Sequence, residues 1–191
     1  RGRAQLAESG VVLLDTPLSG TGAQAVVKDL VIYASGETDA IARCTDVFNS
    51  IGRAHFAIGA FGNGSRMKFV ANLLVAIHNV ASAEAVVLGI KAGLDPQAIY
   101  DVIAAGAGTS RIFELRGPMM VADNYEPATM SLELWQKDMQ IIGEFAAGLG
   151  CTLPLFEASE QVYRDALEMG LQAKDTAAVC TVLESLAGIK R

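Results

Sequence analysis

The chain is short of residues that many functional sites require. Its 191 residues include 3 cysteines and 2 histidines, which have no CxxC pair and no spacing typical of metal ligands. Structural zinc is therefore not expected, and an odd number of widely separated thiols fits a reduced, cytoplasmic protein. Basic charge is also scarce, because 15 Lys and Arg stand against 21 Asp and Glu, for a formal net charge of -6. This balance argues against nucleic acid or an anionic membrane as partner.

Two kinds of apolar segment are also not expected. Residues 1–10 lack the apolar core of a signal peptide. The longest apolar run, Phe69–Ile90, is interrupted by polar residues, so we interpret it as a buried helix and not as a membrane span. Those interruptions are Asn72, His78, Asn79, Ser82 and Glu84.

Hydrophobic residues are plentiful, at 51% of the chain, and their patterning changes near residue 60. Before that point, three runs rich in β-branched or aromatic residues predict strands at 11–14, 30–33 and 55–58. Between the last two, the apolar spacing predicts one helix that includes Ile41 to Ile51 and ends at Gly52. Three strands and one helix are too few for an independent α/β domain, so this part is expected to be the end of a larger sheet.

After residue 61 every predicted element is helical. A long helix is expected from about Ser65 to Ala92, and Asp95-Pro96 supplies an N-cap followed by proline at the first helical position. The remaining start and stop signals predict further helices over 110–117, 131–148, 154–170 and 175–188. The chain thus combines an α/β part, residues 1–61, with an all-α part, residues 62–191.

A glycine-rich segment, Gly20 to Ala25, has the pattern G-x-G-x-x-A and follows a run of apolar residues. In a dinucleotide-binding fold this pattern holds a pyrophosphate. About five residues separate Ala25 from the next predicted strand, however, and a parallel crossover needs a helix of about ten or more. Two other interpretations stay open: a small anion site made by the Ser19 hydroxyl and the N–H groups of Gly20 to Gly22, or a plain glycine turn.

Lys68 and Asn72 are the strongest candidates for chemistry. They lie four residues apart at the start of the long helix, just after Gly62 and Gly64, and so share one face. A lysine that exchanges protons needs its pKa lowered, and the apolar neighbours of Lys68 would do this by desolvation. The alternative is a lysine whose ammonium reaches solvent from the helix start, with Asn72 as a local hydrogen-bonding group. A further pair, Lys137 and Asp138, is more typical of a solvated helix face.

Four motifs, in this order along the chain, resemble those of the β-hydroxyacid dehydrogenase family, which includes 3-hydroxyisobutyrate and 6-phosphogluconate dehydrogenases. They are Asp15-x-Pro17-x-Ser19-Gly20, Gly62-x-Gly64-x-x-x-Lys68-x-x-x-Asn72, Ala92-Gly93-Leu94-Asp95-Pro96 and Lys137-Asp138. The resemblance extends from about residue 11 to residue 186. It implies the terminal part of a Rossmann domain followed by a helical domain like the C-terminal one of 6-phosphogluconate dehydrogenase.

The resemblance also implies an activity and residue roles. Hydride would pass between the β-carbon of a small hydroxy acid, or its semialdehyde, and NAD or NADP, with Lys68 as general acid/base. Ser19, Gly20, Thr21 and Asn72 would bind the carboxylate-bearing substrate. Gly62, Gly64 and Lys137 would contact the cofactor. A homodimer or larger homo-oligomer is implied as well.

The sequence departs from the family pattern in several places. Residues 21–25 replace a more glycine-rich stretch, and Ala71 stands where many relatives have asparagine. The N-terminal strand–GxGxxG–helix unit of the family is not in this sequence. Two alternatives to a dehydrogenase therefore stay open: a non-catalytic oligomerisation or binding fragment, and an imine-reducing relative.

Overall fold

The computed structural model describes residues 5–6 and 8–191, and the chain divides into two compact units, Arg1–Ala71 and Asn72–Arg191. The segment for which no signal peptide is expected, residues 1–10, lies partly outside the described residues. The predicted class, an α/β part with a small sheet followed by a helical part, is confirmed.

The described part of the first unit forms a three-stranded sheet in the order β1-β2-β3. Its strands are β1 (Leu18–Ser19), β2 (Val31–Ala34) and β3 (Ala54–Ala57). β1 runs antiparallel to β2, and β3 runs parallel to it. Short helices α1 (Gly22–Val26), α2 (Thr38–Arg43) and α3 (Thr45–Ile51) connect the strands. The core comprises Ile32, Ala34, Ile41 and Phe48.

Two of the three predicted strands are confirmed to within one residue, and the prediction over residues 11–14 is wrong. Val11, Val12 and Leu13 have no partner strand among the described residues, and all three are exposed. β-branched residues favour a strand only where a neighbouring strand and a buried face reward it. The sheet is reached just afterwards, where Asp15 forms an antiparallel bridge with Ser35.

The predicted helix before Gly52 is two helices, because α2 ends in a tight turn at Cys44. The Cys44 N–H donates to the carbonyls of Ile41 (3.0 Å) and Ala40 (3.3 Å), and the Cys44 carbonyl then accepts from Phe48 N–H at the start of α3. Apolar spacing continues across such a turn and does not reveal it. The connection between β1 and β2 holds only the five-residue helix α1, and these strands are antiparallel. It is therefore not the parallel crossover of a dinucleotide-binding motif.

The second unit consists of helices and connecting loops, and among its described residues the β pairing is limited to one isolated bridge between Ser131 and Asp175. The long helix α4 begins in the first unit and continues into the second. The helices are α4 (Asn63–Lys91), α5 (Pro96–Ala105), α6 (Arg111–Val121), α7 (Leu132–Gly148), α8 (Pro154–Glu168) and α9 (Val179–Leu186), with a 3-10 turn at Thr176–Ala178 before α9. The predicted caps are confirmed for three of them. Side chains of Asp95, Ser110 and Ser131 accept hydrogen bonds from backbone N–H groups three residues on.

The predicted end of the third helical segment at Gly117-Pro118 is wrong, because α6 continues to Val121. Proline lacks the N–H that would bond to the carbonyl four residues earlier, that of Glu114. The Tyr100 hydroxyl lies 3.4 Å from this carbonyl and donates to it instead. Gly117 lets the neighbouring helix approach, since a Cβ there would lie 2.8 Å from the Tyr100 ring. A tertiary contact thus compensates for the local helix breaker.

A buried polar network around Asp175, which is 0% exposed, joins helix α6, the loop before α7 and the 3-10 turn of the second unit. Its carboxylate accepts from Arg116 Nε (3.2 Å) and from backbone N–H groups of Thr129 (2.8 Å) and Ala177 (3.0 Å). Burial alone would raise the pKa of Asp175, but the Arg116 charge and these hydrogen bonds outweigh it and lower that pKa. The predicted last helix begins, after its Asp175 cap, as a 3-10 turn and becomes α-helical at Val179.

Helix α4 is the one described helix that is long and apolar enough, by length and composition, to cross a membrane. Its second half contributes polar groups to the interior of the second unit. The Asn79 amide donates to the Tyr163 hydroxyl (2.9 Å) and to the Thr176 carbonyl (2.8 Å). The central helix of a folded domain passes the same test, so this observation is weak evidence for a membrane span.

Candidate active site

The start of helix α4 is held by hydrogen bonds from elsewhere in the first unit. Asp15 Oδ2 accepts from the backbone N–H of Ser65 at 2.8 Å, and Asp15 Oδ1 accepts from the Ser65 hydroxyl at 2.7 Å. The Ser35 hydroxyl oxygen accepts from the Gly64 N–H at 2.9 Å. The first N–H groups of a helix have no partner inside it, so these contacts satisfy two of them. We call Asp15, Ser35, Gly64 and Ser65 the helix-start cluster.

The helix-start cluster is rigidly built. Asp15 and Ser35 also exchange backbone hydrogen bonds of 2.9 and 2.8 Å, and the Ser35 hydroxyl lies 3.0 Å from Asp15 Oδ2. Burial alone would raise the pKa of Asp15, but hydrogen bonds from Ser65 and Ser35 outweigh it and hold that pKa below its usual value. The carboxylate therefore stays ionised beside the positive end of the helix dipole.

Gly64 has a steric reason to be glycine. It is buried, and a Cβ at this position would lie 2.6 Å from the Tyr33 carbonyl oxygen and 2.7 Å from that of Asp15. Gly62, by contrast, has a φ of +98°, and no described heavy atom lies within 4 Å of the position of its missing Cβ. Of the two glycines predicted to contact the cofactor, Gly62 has the open backbone that close approach of a ligand requires.

Lys68 follows the cluster by one helical turn and is half-buried. Asn72 lies one further turn along the same helix and is buried, with 6% of its surface exposed. The apolar side chains beside Lys68 do not form a closed shell, since Met67 is 42% exposed and Val70 is 50% exposed. The expectation of a lysine surrounded by apolar side chains is therefore only partly met.

The segment predicted to bind the substrate carboxylate joins β1 to α1. Ser19 ends the strand and is half-buried. Gly20 has a φ of +133°, and a Cβ there would lie 2.6 Å from Leu30 Cδ2. The Thr21 N–H donates to Gln24 Oε1 at 3.0 Å. One N–H of the proposed anion site is thus already paired within the chain, and those of Gly20 and Gly22 lie on either side of it.

Lys137 is exposed on helix α7 of the second unit, next to the half-buried Asp138. Among the described residues, no group of three or more His, Cys, Asp and Glu side chains could hold a metal ion. All the cysteines in the described part of the chain are free: Cys44, Cys151 and Cys180.

Sequence reasoning predicted Gly64 as a site residue but missed the other three members of the helix-start cluster, Asp15, Ser35 and Ser65. Asp15 was visible only as the first residue of the Asp15-x-Pro17-x-Ser19-Gly20 motif, and nothing in its local sequence indicates a bond to residue 65. The one usable signal for Ser65 was its position at the start of a predicted helix, where serine often caps.

A small mixed sheet followed by a helical unit built on one long central helix defines the class, a Rossmann part joined to a helical dehydrogenase domain. The family profile described as the NAD-binding domain of NADP-dependent 3-hydroxyisobutyrate dehydrogenase matches residues 62–183. That described as the NAD binding domain of 6-phosphogluconate dehydrogenase matches residues 1–59. The chain belongs to the β-hydroxyacid dehydrogenase family, whose cofactor is NAD(P).

Individual relatives agree with this assignment. L-threonate dehydrogenase of Cupriavidus necator is 34% identical over 95% of this chain and 61% of its own length. Glyoxylate/succinic semialdehyde reductase 2 of Arabidopsis thaliana, a chloroplastic protein, is 29% identical over 95% of this chain and 50% of its own length. A 3-hydroxyisobutyrate dehydrogenase structure from Salmonella typhimurium superposes with a TM-score of 0.85 at 29% identity, over 94% of this chain and 63% of that one. The chain thus spans between half and two thirds of these relatives.

The cofactor of the family can be compared with the residues at hand. The G-x-G-x-x-A segment at Gly20 does not fit a pyrophosphate, because its strands are antiparallel and its helix has five residues. The open backbone at Gly62, just before the lysine helix, does fit close approach of a flat ring. Among the described residues, the segment at Gly20 therefore does not form a pyrophosphate site, whereas Gly62 leaves its backbone open.

Proposed function

We propose that the protein is an NAD(P)-dependent oxidoreductase that interconverts a small β-hydroxy acid and its semialdehyde. The single observation that carries this proposal is Lys68 one turn before the buried Asn72 on a helix whose start is fixed by the helix-start cluster. Family membership supports the reaction class. A rigidly placed lysine beside an amide is suited to exchange a proton with a substrate hydroxyl group.

Each predicted residue has a role in this proposal. Ser19 and Thr21 hold the substrate carboxylate through their hydroxyl groups and Gly20 through its backbone N–H, since the Thr21 N–H is paired with Gln24. The Asn72 amide donates to the substrate oxygen without adding charge. Gly62 would line the approach of the nicotinamide, the buried Gly64 would fix the backbone beside it, and Lys137 would contact the cofactor.

The proton and the hydride leave the substrate separately. In the oxidation, the neutral Lys68 amine accepts the proton of the β-hydroxyl group while the C–H bond of the substrate's β-carbon breaks. The products are a carbonyl group on the substrate and an ammonium group on Lys68. In the reduction, the ammonium returns that proton to the carbonyl oxygen. NAD(P), when bound, would supply or accept the hydride. Asn72 keeps the substrate oxygen pointed at Lys68 in both directions.

The substrate class follows from what named relatives share. L-threonate, glyoxylate and succinic semialdehyde, in the names of those proteins, are all small carboxylates that carry a hydroxyl or carbonyl group. A carboxylate-binding segment at Ser19 and a proton-exchanging residue at Lys68 would serve any of them. We therefore propose a substrate with a carboxylate at one end and a hydroxyl or carbonyl group close to it, and the family resemblance favours the β-carbon, which carries a hydroxyl in L-threonate.

Three further features belong to the proposal. Residues 1–61 form the end of a Rossmann domain and residues 62–191 the helical domain, a division supported by family profiles that meet between residues 59 and 62. The protein acts in the cytoplasm, as its unpaired thiols suggest. It forms a homodimer or a larger homo-oligomer through the helical domain, whose central helix exposes Leu74 and Leu88.

The decisive experiment is Lys68→Ala in the full-length natural protein. Loss of the proton-exchanging group should lower kcat by about 100- to 10,000-fold while cofactor affinity, measured by calorimetry, stays within about twofold of the parent value. Lys190→Ala removes an exposed lysine near the end of the chain and serves as the matched control. Unchanged turnover in Lys68→Ala would refute the mechanism.

A cofactor titration distinguishes this proposal from the alternative of a non-catalytic binding fragment. The 191-residue chain itself is titrated with NAD and with NADP. Binding of either cofactor supports the assigned nicotinamide contacts, whereas no detectable heat with both would favour a fragment that does not act alone.

A further inference from the structure

We propose that Asp15 is a positioning residue for Lys68: through the helix-start cluster it fixes where α4 begins and hence where the lysine stands. This inference rests on the proposed function and adds to it a residue that does not touch the substrate.

Asp15 is bound more tightly than a simple helix cap requires. A cap uses one side-chain oxygen on one backbone N–H. Here both carboxylate oxygens are used, Oδ2 on the Ser65 N–H (2.8 Å) and Oδ1 on the Ser65 hydroxyl (2.7 Å). Two contacts to one residue from the two oxygens of one planar group fix direction as well as distance.

A second point of attachment prevents rotation about the first. The Ser35 hydroxyl oxygen accepts from the Gly64 N–H at 2.9 Å, and Ser35 is itself paired to Asp15 through backbone bonds of 2.9 and 2.8 Å. Gly64 and Ser65, which are adjacent in α4, are thus each held by one member of the Asp15–Ser35 bridge. The absence of a side chain at Gly64 permits this approach, since a Cβ would meet the Asp15 carbonyl at 2.7 Å.

The geometry carries forward to Lys68 because a helix is stiff over one turn. Lys68 lies three residues after Ser65 and four after Gly64, so its Cα is about 5–6 Å from the clamped backbone and on the same side of the helix. A shift of about 1 Å in a proton-exchanging group can cost about 100-fold in rate.

The test is Asp15→Asn in the full-length protein, with Asp39→Asn as the matched control, since Asp39 is an exposed aspartate in the first turn of α2. Asparagine keeps the shape of the side chain but presents an NH2 group to one of the Ser65 donors. One Asp15–Ser65 hydrogen bond is therefore lost, and the helix-start cluster is loosened. We expect kcat to fall about 10- to 100-fold with the cofactor KM within about twofold of the parent value.

A double-mutant cycle distinguishes positioning from general damage. Ser65→Ala removes one of the two Asp15–Ser65 contacts and should lower kcat by about 3- to 10-fold. Because both variants open the same clamp, the double variant should be no slower than Asp15→Asn alone within about twofold. Multiplying losses would mean that the two residues act independently, and the inference would be wrong.

Two readouts keep this test separate from that of the proposed function. Assays run at a temperature where circular dichroism shows every variant to be folded. If Lys68→Ala abolishes turnover but Asp15→Asn behaves like Asp39→Asn, the positioning role is overturned and the proposed function survives. If Lys68→Ala keeps turnover, the proposed function fails. Amide exchange at residues 64–68 then still decides the anchoring, since equal exchange in both Asp→Asn variants would overturn it.

Discussion

The two units each contain an aspartate that organises its surroundings, and the two solve the problem of a carboxylate in the protein interior differently. Asp175 of the second unit is fully buried and has a cation, Arg116 Nε, at 3.2 Å. Asp15 of the first unit is only half-buried, and it is held by neutral hydroxyl and N–H groups, among them those of Ser35 and Ser65. Removing a charge from water completely requires an opposite charge, whereas hydrogen bonds suffice where some solvent contact remains.

The difference predicts which aspartate matters for stability and which for the position of a reacting group. Replacing Asp175 would leave the Arg116 charge, 6% exposed, without its partner. Replacing Asp15 would leave only neutral groups, which can turn towards water at modest cost. Replacing Asp175 should therefore destabilise the second unit, whereas replacing Asp15 should mainly displace the start of α4.

The largest expected effect is that of Asp175→Ala. Breaking a buried ion pair on one side should lower the free energy of unfolding of the second unit by about 3–5 kcal/mol. The sole tryptophan, Trp135, is buried in this unit, so urea unfolding followed by its fluorescence measures the change. Asp101→Asn, at an exposed position of α5, is the control. A loss below about 1 kcal/mol would show that Arg116 finds another partner and would remove the contrast.

Gly64→Ala should have the next largest effect, on the first unit. A Cβ would meet backbone oxygens of Tyr33 and Asp15 that cannot move without opening the sheet, at a cost of about 1–3 kcal/mol. Amide exchange of strand β2 measures this loss. Gly143→Ala is the matched control, because no described atom lies within 4 Å of the Cβ position in that helix. It should stabilise α7 by about 0.5–1 kcal/mol. Equal exchange in the parent and in Gly64→Ala would contradict the steric reason for glycine.

Lowering the pH should remove a stabilising contribution from each unit, that of the ionised Asp15 in the first and of the ionised Asp175 in the second. A carboxyl group whose pKa is lowered in the folded state contributes stability above its unfolded pKa, near 3.8, and that contribution is lost as the pH falls through the folded value. Asp15→Asn should therefore flatten the decline in first-unit stability below about pH 4, and Asp39→Asn should leave it unchanged. Amide exchange of strand β2 against pH provides the measurement. A parent decline that Asp15→Asn leaves as steep would mean that the ionised Asp15 carboxylate does not stabilise the fold.

The smallest perturbation is thiol labelling, which leaves the fold intact. Cys151 is exposed and should react readily with a thiol reagent at pH 8. Cys180 is fully buried, and burial raises the pKa of its thiol to about 12, so it should react only when the second unit opens. Asp175→Ala should then speed the labelling of Cys180 without changing that of Cys151. Mass spectrometry after proteolysis distinguishes the two sites, and equal rates at Cys180 in both proteins would contradict a network that holds this unit closed.

The sequence predicted elements whose causes are local. Helix starts at Asp95, Ser110 and Ser131 followed from side chains that cap their own helix, and the structure confirms all three. The long helix was predicted because glycines bound an apolar run. The assignments of Lys68 and Asn72 as site residues come from their spacing and from the resemblance, and they stay predictions.

What the sequence did not predict depends on contacts between distant residues. The continuation of α6 past Pro118 depends on the Tyr100 hydroxyl, and the anchoring of α4 depends on Asp15 and Ser35, 50 and 29 residues from their partners. Local propensity contains no information on such pairs. The wrong strand at residues 11–14 has the same origin, since a strand exists only with a neighbour.

The helix-start cluster has a consequence for redesigning the substrate range. The four residues of the cluster come from three separate parts of the chain. A substitution at any one of them would therefore need compensating substitutions at the others. A combinatorial library should therefore hold these four positions and Gly20 constant and place its diversity at Ser19 and Thr21, which lie outside the helix that carries the lysine.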